Sequence, residues 1–285
     1  KEDNRIELGN LVQSGNELKT NPIYLDMESL DKHIFVAGVT GSGKTTTCQS
    51  ILSSSGLPFL VIEPAKTEYR IMKEMYPDLL VFTLGNENVG TPFRMNPFEF
   101  FPHESITSRA DMIKASIEAA LDMEAAIPQI IESAIYACYE DYGWNISTNK
   151  NERFDDPFKD GIYAFPTLED LINKVPEIVD EQGFDNRLKN DYIGSIRARL
   201  MGLMVGTKGM MLNTKRSIDF RDLLDRKVVL ELEEIRSGSE KSLIMGFVLT
   251  NLMQAIKGRY FENGGKPHKH ITLVEEAHRL LSKYV

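Results

Sequence analysis

Residues Gly38 to Thr45 read Gly-Val-Thr-Gly-Ser-Gly-Lys-Thr, and no other run in the chain constrains its fold as tightly. The run fits the pattern Gly-x-x-x-x-Gly-Lys-Ser/Thr at every position. An apolar, strand-like stretch, His33 to Ala37, precedes it and a helical stretch, Thr45 to Ser53, follows it, which is the setting that gives this pattern its meaning. Glycines let the backbone curl until successive N–H groups face one anion, and the helix behind adds its positive end. Lys44 is then placed to reach the β- and γ-phosphates of ATP, and Thr45 to offer its hydroxyl to Mg²⁺. Gly41, Ser42, Gly43 and Thr46 complete the candidate nucleotide-binding set.

Such a loop needs a sheet behind it, and the rest of the chain supplies one. Leu57 to Ile62, Leu79 to Leu84, Val228 to Leu232 and His270 to Val274 are short apolar runs rich in β-branched residues. That pattern suits strands covered on both faces. Helices and loops separate them, so the fold class is α/β with a mostly parallel sheet. Between the third and fourth strands the sequence is mainly helical. Ser105 or Thr107 can cap a helix to about Met123, and Pro128 suits the first turn of another reaching about Tyr142. Asn145 to Ala164 is polar and turn-rich and reads as an exposed insertion. Thr167-Leu-Glu-Asp170 opens a further helix with a capping box. Asn186 to Val205 reads as a helix closed by Gly206, and Ser239 to Phe261 as a long helix ended by Asn263-Gly-Gly265.

The fifth strand runs straight into Val274-Glu275-Glu276-Ala277-His278. Acids after a buried strand, at the phosphate side of a sheet, suit metal binding and water activation. Glu275 is the candidate metal residue, acting on Mg²⁺ through water, and Glu276 the candidate general base. A rival placement puts the metal acid at Glu231 or Glu233 in Val-Val-Leu-Glu-Leu-Glu-Glu. His278 either reports on the nucleotide or packs locally.

The net charge of −9 argues against a broad basic nucleic-acid face, though not against a few basic loops lining a pore. No apolar run reaches the ~20 residues that cross a bilayer. Cys48 and Cys138 form neither a zinc pattern nor a disulfide framework, and read as reduced core thiols of a cytoplasmic protein. The start at Lys1 and the unpunctuated end at Val285 suggest a piece of a longer protein.

Three segments in order, HIFVAGVTGSGKTTT (33–47), FLVIEPAKTEYR (59–70) and ITLVEEAHRLL (271–281), resemble the HerA family of the HerA/FtsK group, as does Asn96-Pro97. The resemblance implies a RecA-like P-loop NTPase core with a helical insertion. It further implies a homo-hexamer that hydrolyses ATP with Mg²⁺ at subunit boundaries and threads DNA through its centre. The EPAKTEYR form looks most like antiphage-defence members that associate with an effector such as a nuclease or sirtuin-like NADase; no membrane partner is expected. Residues 31–100 and 206–285 then form the core and 101–205 the insertion. Residues 1–30 are a linker and edge segment from an N-terminal domain. Glu275 departs from the aspartate usual in the family, and the family's later strands are not in the chain.

Glu63, Lys66, Glu68 and Arg70 follow the second strand; the resemblance implies that Glu68 touches a neighbouring subunit or tunes hydrolysis, against a reading of the group as a solvated loop. Arg197 and Arg199 are candidates for an arginine finger against a reading as surface residues. Lys208 and Lys215 flank a Met-rich turn and either face a pore or are solvated. Two functions share the site: a DNA translocase or helicase, and a nucleotide-gated scaffold that activates an effector without moving DNA.

Overall fold

The structure, a computed structural model, describes residues 4–88, 90–121 and 126–281. The chain opens with an antiparallel hairpin, β1 (Arg5–Gln13) and β2 (Asn16–Asp26). Its turn places Ser14 at φ 49° and Gly15 at φ 79°, the left-handed pair whose twist matches that of two hairpin strands. This hairpin is a sheet of its own, beside the first helix, α1 (Lys44–Ser55).

Four parallel strands form the central sheet in the order β4-β7-β3-β8. They are β3 (Phe59–Glu63), β4 (Leu80–Thr83), β7 (Lys227–Glu231) and β8 (Ile271–Val274). A tiny hairpin, β5 (Trp144–Asn145) and β6 (Lys150–Asn151), stands apart. Every residue of β3 is buried, because side chains alternate between two covered faces. Phe59 and Val61 pack with Val229 against Cys48 and Leu52 of α1, and with Tyr69 and Met72. Leu60 and Ile62 point the other way with Val228 and Leu230, into a larger helical layer.

That layer consists of α2 (Ile106–Ala120), α3 (Ile127–Asp141), α4 (Leu168–Glu181), α5 (Asn186–Leu203) and α6 (Gly206–Leu212). After the single turn α7 (Phe220–Leu223) comes α8 (Gly238–Glu262). The expected starts hold where a side chain dictates them. Ser105 caps α2, a proline lies in the first turn of α3, and Thr167 and Asp170 form both halves of the capping box on α4. The expected end of α2 at Met123 lies outside the described residues. Among those described, no helix is long and apolar enough to cross a membrane.

Three expectations need correction. His33 to Ala37 forms no strand: Phe35 is 86% exposed and Ile34 48%, and β8 ends the sheet. Apolar, β-branched composition reports what a side chain prefers, whereas ladder bonds need a partner edge that local sequence does not specify. Residues 145–164 are not simply exposed. Trp144 stacks on Phe165, Phe100 and Phe158 close the cluster, and Trp144 Nε1 donates to the Ala164 carbonyl at 2.6 Å. Polar composition concealed these aromatic anchors. The Met-rich turn is helical, part of α6. Lys208 pairs with Glu240 at 2.8 Å, and the Lys215 ammonium lies 5.1 Å from the centre of the Tyr163 ring.

Candidate nucleotide site

Gly43 precedes α1 in the left-handed region at φ 91°, and Gly41 lies there too at φ 81°. Only glycine adopts such angles cheaply. Gly38 matters for a different reason: a Cβ there would stand 2.4 Å from Ser42 Oγ and force that hydroxyl to another rotamer. The loop closes through the Ser42 N–H, which donates to the Val39 carbonyl at 3.1 Å. Among the described residues no side-chain hydrogen bond caps α1, so its first N–H groups are left for an anion. Lys44 Nζ donates to the carbonyls of Gly38 at 2.8 Å and Val39 at 3.2 Å, folded back over the loop. Thr45 is half-buried beside it and Thr46 is exposed on the first turn. Curled backbone, free helix end and local ammonium together fit a polyphosphate.

The loop after β3 lies against this site. Glu63 accepts the N–H of Glu68 at 2.6 Å and of Tyr69 at 3.3 Å, which pins the loop to the strand end. Gln49 of α1 donates to the Glu68 carbonyl at 3.1 Å. The Glu68 carboxylate pairs with Lys66 at 3.1 Å; Lys66 first, then the Thr45 hydroxyl, hold it below the usual carboxylate range. The hydrogen bond to Glu68 raises the Lys66 ammonium, and the charges of Glu68, Glu275 and Glu276 add to the effect. Tyr69 is fully buried and its hydroxyl donates to Glu275 Oε1 at 2.5 Å. Burial, then the bond to Glu275, raises the Tyr69 hydroxyl above the ordinary phenol range.

Register explains why the acids meet. The Glu275 N–H donates to the Ile62 carbonyl at 3.0 Å, so it stands level with the end of β3. Glu276 follows at φ 52°, a left-handed angle that costs a non-glycine residue on the order of 1–3 kcal/mol and is common at functional sites. It is exposed, with His278 Nδ1 3.4 Å from its carboxylate.

The sequence matches the family described as the central domain of the helicase HerA over residues 6–252. The chain belongs to the HerA central-domain family. Its phosphate loop and β3 lie inside the matched region, whereas Glu275 and Glu276 lie beyond it. Among solved structures it is similar to VirB4 of Thermoanaerobacter pseudethanolicus, with a TM-score of 0.55 and 15% identity over 84% of this chain and 82% of that one. At that identity the likeness shows the fold, a P-loop ATPase fold with the parallel sheet flanked by helices. A search of curated proteins found none that matches.

For this HerA-family chain the rival acids divide cleanly. Glu231 is fully buried, takes a two-pronged bond from Arg70 (Nε at 2.8 Å, Nη2 at 2.5 Å) and a third from Thr83 at 3.1 Å. Glu233 is exposed on the chain beyond β7. Arg199 is bonded to Ser195 on its own helix, and Arg197 faces solvent. Among the described residues no group of three or more His, Cys, Asp or Glu side chains is arranged to hold a metal. Mg²⁺ needs no such cage, being held through one or two carboxylates, phosphate oxygens and water. Thr45, Glu68 and Glu275 offer hard oxygen atoms of that kind. The sequence reading missed Tyr69. Its signal was the Glu-Tyr pair towards the end of FLVIEPAKTEYR, where the local sequence gives the phenol no role.

Proposed function

We propose that this chain is the ATPase core of a ring-forming DNA translocase or helicase that works with a partner effector or nuclease. The observation that supports it best is the loop after β3, which is tied to the phosphate-binding helix through Gln49 and Glu68 and to the β8 acid Glu275 through Tyr69. In this reading Lys44 leaves the Gly38 and Val39 carbonyls for the β- and γ-phosphate oxygens of ATP, and loop N–H groups bind the rest of the phosphate chain. Thr45 and Glu275 would hold Mg²⁺, and the metal would supply positive charge against the negative charge of the transferred phosphate. Glu276, exposed and with His278 beside its carboxylate, would take the proton of the attacking water. Residues 31–100 and 206–285 act as the core, with 101–205 as a helical insertion. Six copies in a ring, with an arginine such as Arg197 or Arg199 reaching the next site and DNA in the pore, complete the proposal; membership of the HerA family supports it.

The net charge of −9 favours a second reading, a nucleotide-gated scaffold that assembles with and activates a defence effector without moving DNA. Lys44→Ala in the full-length protein tests the shared site: hydrolysis should vanish and ATP binding weaken, and normal turnover would exclude it. DNA added to the wild type then separates the readings. Stimulated hydrolysis supports translocation, and assembly with an effector without stimulation supports the scaffold.

A further inference from the structure

We propose that Tyr69 is a positioning residue that fixes Glu275 for Mg²⁺, through the contact between its hydroxyl and Glu275 Oε1. The inference rests on the reading above that Glu275 serves the metal. A glutamate carries one more rotatable bond than an aspartate, so holding its carboxylate in one place costs more conformational freedom. The structure shows what offsets that cost. Tyr69 donates to one carboxylate oxygen at 2.5 Å, a charge-assisted bond of the strong kind, while the Glu275 side chain stays half-buried rather than sealed from solvent.

The phenol itself has little freedom. Its ring is fully buried in the small core beneath α1, with Cys48, Leu52 and Met72. Its main-chain N–H is bonded to Glu63 Oε2, whose partner oxygen holds the N–H of Glu68. One short loop, anchored at Glu63, therefore ties Glu68 to α1 through Gln49 and Tyr69 to Glu275. The two protein groups assigned to the metal are set relative to each other by adjacent residues of a third element. A shift of that loop would move both.

The test removes one oxygen atom and reads the metal directly. Mn²⁺ binding to the full-length protein with ADP is followed by electron paramagnetic resonance, alongside the Mg²⁺ dependence of ATP hydrolysis. Loss of a group that orients a metal ligand typically costs about 10–100-fold in metal affinity, so Tyr69→Phe should weaken Mn²⁺ binding by ~10-fold with the melting temperature kept. In a Glu275→Asp background the shorter arm draws the carboxylate away from Tyr69. There the same change should cost less than about 2-fold, a non-additivity that only coupled residues show. Met72→Ala loosens the same pocket but keeps the hydroxyl, and should leave Mn²⁺ affinity in place. Unchanged Mn²⁺ affinity in Tyr69→Phe, equal losses in both backgrounds, or an equal loss in Met72→Ala would overturn the proposal. Glu275→Gln separates the failures. If it weakens Mn²⁺ binding while Tyr69→Phe does not, only the positioning role falls. If Glu275→Gln has no effect either, the assignment of Glu275 to the metal falls with it.

Discussion

The carboxyl edge of the central sheet has two halves that differ in how their polar groups are satisfied. At the β3–β7 half, Glu63 stands opposite Glu231 in register and Thr83 beside it on β4. Arg70, Thr83 and backbone N–H groups take up those carboxylates, and Lys241 donates to the Pro64 carbonyl at 2.5 Å. At the β8–α1 half, Glu276 is exposed, Glu275 has one oxygen tied to Tyr69, and Lys44 rests on loop carbonyls it can leave. Acids at the same height on the same sheet thus play opposite parts. Saturated ones hold the edge together, and those with free lone pairs are available to a ligand.

The largest expected effect that sharpens this contrast is at Glu276. A general base contributes about 10²–10⁴-fold to rate, so Glu276→Gln should lower ATP turnover by at least ~10²-fold while leaving ATP binding and the unfolding midpoint near wild type. If Glu276→Gln turns over normally and Glu231→Gln is dead, the chemistry belongs to the half described as structural, and the contrast is inverted.

A smaller effect, of the opposite kind, is expected at Arg70. Its guanidinium is the main partner of Glu231, whose side chain is wholly buried, although the Arg70 side chain is itself 46% exposed. Breaking a fully buried pair costs about 3–5 kcal/mol, and exposure of one partner reduces this, so Arg70→Ala should lower stability by roughly 2 kcal/mol. Denaturant unfolding measures it, and ATP affinity per folded molecule should stay near wild type. A variant as stable as wild type but unable to bind ATP would place Arg70 in the site instead.

How far this division was legible in the sequence depends on the range of the interactions. The phosphate loop, the capping box at Thr167, the Ser105 cap and the four strands of the sheet are written in neighbouring residues, and each appears where its local pattern puts it. The exclusion of His33 to Ala37 from the sheet was not legible, because its composition is that of a strand and only the path of the chain, which does not bring it alongside an edge strand, decides. Nor did spacing along the chain distinguish Glu231 from Glu275. Arg70 reaches Glu231 from 161 positions away and Tyr69 reaches Glu275 from 206, contacts created by the crossover connections of a parallel sheet. Alternation in Val-Val-Leu-Glu-Leu placed Glu231 at a strand end but gave no hint of the cation waiting there.

The smallest effect concerns the proton on Glu63, and it tests how dry the saturated half is. Burial raises this carboxyl from 4.5 to about 7; the charges of Glu231 and Glu68 add to the rise, while the N–H groups of Glu68 and Tyr69 oppose it. A carboxyl raised in this way binds its proton more tightly in the folded than in the unfolded chain. Its contribution to stability is whole below the ordinary 4.5 and is lost as pH rises through about 7. Glu63→Gln cannot titrate and retains an acceptor oxygen for the loop. The stability of wild type minus that of Glu63→Gln should therefore fall between about pH 5 and 8, on the order of 2 kcal/mol in total. Urea unfolding of both proteins across that range measures the difference, and taking the difference cancels the other carboxylates. A difference that stays flat would mean that water reaches Glu63 as it reaches Glu276, and one that rises would mean that the N–H groups outweigh burial. Either result removes the distinction between the two halves at its most buried acid, and leaves Arg70 alone to separate them.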